Sequence, residues 1–137
     1  MGAPLRLRAL PGRLSVCRLE PGAPFDPAAL FSRAPAPGAA PAILSVALGA
    51  EELSVVCAEG AEPAGARVES GWRAFKVQGP LDFGLTGVLA AIASPLAAAG
   101  VPIFALSTFD TDYVLVKEAL LTAAVEALRK AGMDVEG

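Results

Sequence analysis

Gly71 to Val116 reads GWRAFKVQGPLDFGLTGVLAAIASPLAAAGVPIFALSTFDTDYVLV, and its order of apolar runs, glycines and polar turns decides the fold. Trp72 to Gln78 reads as a strand, although Arg73 and Lys76 fall on opposite faces of it. Leu85, Val88, Leu89, Ile92 and Leu96 then recur at i, i+3, i+4, i+7 and i+11, one apolar stripe of a helix suited to lie on a sheet. Pro95 cannot donate to the carbonyl of Ala91, so it kinks or ends that helix, and Gly100 supplies the stop. Val101 to Thr108 is apolar on both faces, the pattern of a central strand, and a hairpin carries it on to Val116. A second helix follows from about Ala119 to Ala131, with Leu121, Ala124, Val125 and Leu128 on one side and Glu126, Arg129 and Lys130 on the other. Gly132 ends it, and Met133 to Val135 has room for a short last strand. The sum is β-α-β-β-α-β, an α+β, ferredoxin-like unit with its helices on one face of the sheet.

Upstream, the same pattern recurs in a reduced form. Ile43 to Val56 (ILSVALGAEELSVV) and Ile103 to Val116 (IFALSTFDTDYVLV) have equal length, and an offset of sixty aligns Glu52 with Asp112 and Leu53 with Tyr113. Arg13 and Arg73 match at that offset too, which reads as an internal duplication. Leu14 to Leu19 is the opening strand of the first copy. Asp26 caps and Pro27 starts a short helix. Arg33 to Pro41 is a connector too rich in proline to join a ladder, and residues 59–70 read as the join between modules. The expected division is a degenerate first module over residues 1–62, a linker over 63–70 and a full module over 71–137.

Composition narrows the function. The 137 residues suffice for a buried core, and 54% apolar against 18% charged residues is the balance of a folded chain. A net charge of -3 provides no general attraction to phosphate backbones, so no nucleic-acid partner is expected. Arg6, Arg8, Arg13 and Arg18 are the one local excess of positive charge and read as a solvated edge. No apolar run reaches the roughly 20 residues of a membrane helix, and the N-terminus lacks the apolar core of a secretory signal; the expectation is a cytoplasmic protein with no membrane partner. Histidine is absent, which removes the commonest metal ligand and the usual general base near neutral pH. Cys17 and Cys57 sit in apolar strand-like runs without paired spacing, as two buried reduced thiols would. No metal, no cofactor and no catalysis are expected.

Two segments carry binding chemistry. Gly79 to Gly87 joins the first strand to the first helix with three glycines and Asp82; the absence of Cβ atoms and the amides at a helix start suit a carboxylate. Asp82 reads equally as a plain N-terminal cap. Ser107 to Tyr113 crowds hydroxyls, two carboxylates and two aromatic rings at a strand end, where Asp110 and Asp112 can pair with an ammonium or guanidinium group or simply make local turn bonds. Trp72 reads as an anchor of the seam between the copies.

The run from Gly71 to Lys117 resembles an ACT domain, of the branch of small tandem-ACT proteins similar to the modules of Castor-type arginine sensors. Asp82 and Thr86-Gly87-Val88-Leu89 stand where that family opens its first helix, with Thr86 in place of proline. The resemblance implies a non-catalytic regulatory protein that holds a small amino acid at an interface between ACT units, in a homodimer. Carried onto this chain, its ligand contacts are Asp82, Phe83 and Gly84, then Gly100, Val101, Pro102 and Ile103, then Ser107, Thr108, Phe109 and Asp110, with Asp112 beside them. The competing readings are an assembly or protein-interaction module without a functional ligand site, and an enzyme built on Cys17, Cys57 or a carboxylate.

Overall fold

A computed structural model of the chain describes residues 4–32, 43–79 and 86–137. In chain order the elements are β1 (Arg6–Ala9), β2 (Leu14–Leu19), α1 (Pro27–Ser32), β3 (Ser45–Leu48), β4 (Leu53–Ala58), β5 (Arg67–Val77), α2 (Val88–Ala98), β6 (Phe104–Ser107), β7 (Asp112–Lys117), α3 (Leu121–Lys130) and β8 (Asp134–Glu136), with a 3-10 turn at Glu118–Leu120. The contacts group them differently from the linear division expected. Met1–Leu10 joins Arg73–Gly137 in one compact unit, here the outer unit, and Pro11–Trp72 forms a second, inserted in sequence between its parts.

In the outer unit the strands lie in the order β8-β1-β5-β7-β6, and β5, α2, β6, β7, α3 and β8 follow one another as the expected ferredoxin-like β-α-β-β-α-β. One strand is added to that plan. β1 pairs antiparallel with β5, Leu7 opposite Val77, and parallel with β8, Leu7 opposite Val135. Its alternation explains the placement: Leu7 is 2% exposed in the core while Arg6 and Arg8 face outward. The Arg6–Asp134 ion pair is more than half exposed at both ends, so it contributes at most about 1 kcal/mol. Burying a leucine contributes about 1.5–3 kcal/mol, so the apolar side of β1 holds the strand in place. That position is why the first ten residues do not belong with the module that follows them.

Phe75, Ile92, Leu96, Val114, Val116 and Leu128 form the centre of this core. The helical stripe is narrower than expected, because Ile92 and Leu96 are fully buried while Leu89 is 39% exposed; Leu85 lies outside the described residues. Pro95 neither ends nor interrupts α2. It stands in the last turns, the helix runs on to Ala98, and Gly100, at φ +75, closes it with Gly100 N–H donating to the Ala97 carbonyl and Val101 N–H to Leu96. The strand expected over Val101 to Thr108 is shorter, Phe104–Ser107, and it is an edge strand paired with β7, not a central one. Phe104 and Leu106 on one face are half-buried, whereas Ala105 and Ser107 on the other are exposed.

The inserted unit has the order β3-β4-β2-β5, with residues 67–72 of β5 as its last strand. Its core is Cys17, Leu19, Leu30, Leu53, Val55 and Cys57, to which α1 contributes Leu30. Residues 59–66 stand where the outer unit has α3, and they form turns. Carboxylates hold that turn in place of a packed helix. The buried Ser15 hydroxyl donates to Glu62 Oε2 at 2.6 Å, Gly60 N–H donates to Glu62 at 3.0 Å, and Gly71 N–H donates to Glu59 Oε1 at 3.0 Å. The segment expected to be linker up to Ser70 is therefore turn and then strand, β5 beginning at Arg67.

Both hairpins expected from the duplication are present, and their registers give a different offset. Leu48 pairs with Leu53 and Ser107 with Asp112; Gly49 N–H donates to the Glu52 carbonyl at 2.9 Å and Thr108 N–H to the Thr111 carbonyl at 2.8 Å. The identical closure sets the hairpins at an offset of fifty-nine, so Asp112 corresponds to Leu53 and Thr111 to Glu52. Alignment at sixty followed chemical likeness, whereas the turn hydrogen bond fixes the register.

Two outcomes are expected from these contacts. Gly71 holds φ +79 inside β5 with open space around its missing Cβ, so Gly71→Ala loses about 1–2 kcal/mol in urea unfolding from backbone strain alone, while Gly22→Ala, unstrained and equally open, does not destabilise. Burial raises the Glu62 carboxyl, but the Ser15 hydroxyl and the Gly60 amide outweigh it and hold the group below its ordinary 4.5. A carboxyl lowered by folding adds stability above its ordinary value and loses it as pH falls through the folded value, so Glu62→Gln flattens the acid side of the unfolding midpoint plotted against pH.

Candidate functional site

The β6–β7 hairpin ends in residues 108–111, and Thr111 anchors its tip. Thr111 is 4% exposed, and its hydroxyl donates to the carbonyl of Val77, the last residue of β5, at 2.6 Å. Val77 leads directly into Gln78 and Gly79, where the glycine-rich segment begins. One bond therefore brings the end of the hairpin beside the start of that segment. Sequence reasoning passed over Thr111 as an ordinary turn residue; the signal that could have found it is a hydroxyl at the first inward position after the turn.

Around this anchor, the Ser107 hydroxyl donates to Asp112 Oδ1 across the cross-strand pair, and the Thr108 hydroxyl donates to the Thr111 carbonyl at 3.2 Å. Ser107, Thr108, Phe109 and Asp110 are exposed, Phe109 at 79%, and Asp112 is half-buried. The hairpin end thus presents two carboxylates, the Ser107 and Thr108 hydroxyls and an aromatic ring within six residues. Asp112 is already oriented by Ser107, which suits a fixed acceptor for a cationic group.

Gly100, Val101, Pro102 and Ile103 do not join this group. They connect α2 to β6, at the opposite end of the strand from Ser107; four residues of strand rise separate Ile103 from Ser107, about 13 Å. Gly100 is the helix stop, Val101 is 4% exposed in the core, and Ile103 packs against that core. Only Pro102 and Gly100 of the four are exposed. A small amino acid held at Ser107 and Asp112 does not reach them. Asp82, Phe83 and Gly84 lie outside the described residues.

The thiols offer no chemistry. Cys17 and Cys57 are both free and 1% exposed, and the hydrogen bond with Cys57, followed by burial, pushes the Cys17 thiol far up, so it stays neutral. Among the described residues no cluster of three or more His, Cys, Asp or Glu residues is placed to hold a metal ion, and no helix is long and apolar enough to cross a membrane.

Comparison with known proteins follows the same lines. The model of the ACT domain matches residues 67–130. Protein Atu0741 from Agrobacterium tumefaciens, a solved structure, is 32% identical and superposes with a TM-score of 0.81 over 98% of this chain and 93% of its own. The regulatory subunit of aspartate kinase from Thermus flavus, at 15% identity, shares the fold with a TM-score of 0.64 over 95% of this chain and 99% of that one. The cytosolic arginine sensor for mTORC1 subunit 1 of Homo sapiens is 40% identical over 60 residues, which is 43% of this chain and 18% of the sensor. The chain thus matches less than a fifth of the length of that curated relative.

If the Thr111 hydroxyl anchors the hairpin as described, Thr111→Val leaves the Val77 carbonyl without its partner and costs about 1–3 kcal/mol in urea unfolding. Ser107→Ala, at an exposed pair, changes stability by less than about 1 kcal/mol in the same measurement.

Proposed function

The chain belongs to the ACT-domain family, and on that premise we propose that it is a non-catalytic regulatory protein that binds a small amino acid. What carries the reading is the end of the β6–β7 hairpin, where Asp112, oriented by Ser107, stands with Asp110 beside the strand end that leads into the glycine-rich segment. In this reading Asp110 and Asp112 take the ammonium, or a guanidinium, and the Ser107 and Thr108 hydroxyls complete the polar side. The carboxylate falls to backbone amides of the glycine-rich segment, with Asp82, Phe83 and Gly84 entering from the family resemblance. The likeness to an arginine sensor and to the regulatory subunit of an aspartate kinase supports amino-acid recognition as the function class. The proposal includes a homodimer, whose second subunit closes the exposed side of the hairpin end, and a cytoplasmic location.

Calorimetric and thermal-shift titration with each of the common amino acids tests it. One of them, at 100 times its dissociation constant, stabilises the protein by about 2.7 kcal/mol. Asp110→Ala and Asp112→Ala lose that response while the fold and the oligomeric state persist. A protein that no amino acid stabilises is an assembly module and not a sensor.

A further inference from the structure

Two of the four arginines that the sequence presents as a solvated edge, Arg6 and Arg8, are set by β1 in a cleft of about 250 Å³ on the outer unit, lined by Arg6, Arg8, Lys76, Gln78, Asp134 and Glu136 among others. The registers set these residues in two rows. Glu136, Arg8 and Lys76 stand side by side across β8, β1 and β5; Asp134 and Arg6 begin the next row. Leu7, between the two arginines, points to the helix-covered core, so the cleft opens on the sheet face that the helices leave uncovered.

The charges in it do not cancel. Asp134 is matched to Arg6 at 3.2 Å, whereas the Arg8 side chain makes no hydrogen bond or ion pair among the described residues. Its antiparallel partner is Lys76, a like charge directly opposite, an arrangement that costs stability in a sheet. The Lys76 ammonium lies over the Tyr113 ring at 5.8 Å, which steers it without neutralising it. Glu136, on the far side of Arg8, offsets one of the two cations. Three cations face two carboxylates, in a chain whose net charge is -3. The surplus is on the β1–β5 side, together with the amide side chain of Gln78, a neutral donor.

We propose that this cleft is a binding site for a small oxyanion, a carboxylate- or phosphate-bearing ligand, held between Arg8 and Lys76 with Gln78 as a further donor. A two-oxygen or three-oxygen acceptor matches the forked donors of a guanidinium and the point charge of an ammonium together, and it removes the repulsion between them. The cleft shares Gln78 and Gly79 with the start of the glycine-rich segment, but its cations come from β1 and β5 and not from the hairpin end, and it does not depend on the amino-acid reading. It also gives β1 a role that a bare β-α-β-β-α-β unit lacks, since two of its three cations come from that strand.

The test uses the full chain, titrated separately with inorganic phosphate and with succinate at an ionic strength held constant with chloride. Backbone amide shifts in an NMR titration and the thermal midpoint are followed. Saturable shifts confined to residues 6–8, 76–79 and 134–136 are expected with one of the two anions, and which one responds identifies the anionic group. Arg8→Gln weakens that binding at least tenfold, and Lys76→Gln does the same. Shifts that never saturate, a response equal to that of chloride alone, or wild-type affinity in Lys76→Gln would overturn the proposal.

Discussion

The hydrogen bond from the buried Thr111 hydroxyl to the Val77 carbonyl ties the end of the β6–β7 hairpin to the end of β5, the strand with which β7 also pairs. It is a neutral bond inside the outer unit, and its weight comes from what its loss leaves behind. A buried carbonyl without a donor costs more than the net gain of an ordinary hydrogen bond. An exposed ion pair of the same unit is a weaker constraint; Arg6–Asp134 is largely solvated and orders little. The hairpin end is thus tied down by a hydroxyl that carries no charge, while Asp110 stands exposed and Asp112 half-buried beside it.

A second constraint shapes the rest. Because β1 lies between β5 and β8, residues 11–72 must leave the outer unit and return along β5, whose first part closes the inserted unit and whose second part opens the ferredoxin-like plan. The inserted unit is smaller because turns replace its second helix, and Glu59 and Glu62 supply by hydrogen bonding what apolar packing supplies in the outer unit. Glu62 in particular links the buried Ser15 of β2 to the turn. The two units thus differ in their balance of packing and polar contacts.

Periodicity in the sequence revealed the elements with strong patterns: α3, with its charged face, the two hairpins and the β-α-β-β-α-β order. It could not reveal partners. Nothing in Arg6-Leu7-Arg8 says that Leu7 enters a core assembled some seventy residues later, so the first strand read as part of the nearer module and its arginines as a plain edge. Val101 to Thr108 read as central because apolarity reports burial, and burial does not say whether a neighbouring strand exists. Pro95 was tolerated because it sits near the end of α2, where few later turns depend on it. At the site, Ser107 and Asp112 were visible as polar groups at a strand end, while Gly100 to Ile103 entered through family likeness and fell to the far end of β6. Thr111 was invisible as an anchor, since its partner is a backbone carbonyl that any residue could have supplied.

The most direct measurement is an amide NMR titration of the wild-type chain with the amino acid that shows the largest stabilisation. The account predicts shifts concentrated at residues 107–112 and at 77–79, on both sides of the Thr111–Val77 bond. Shifts concentrated elsewhere, with these residues unmoved at saturation, would contradict it.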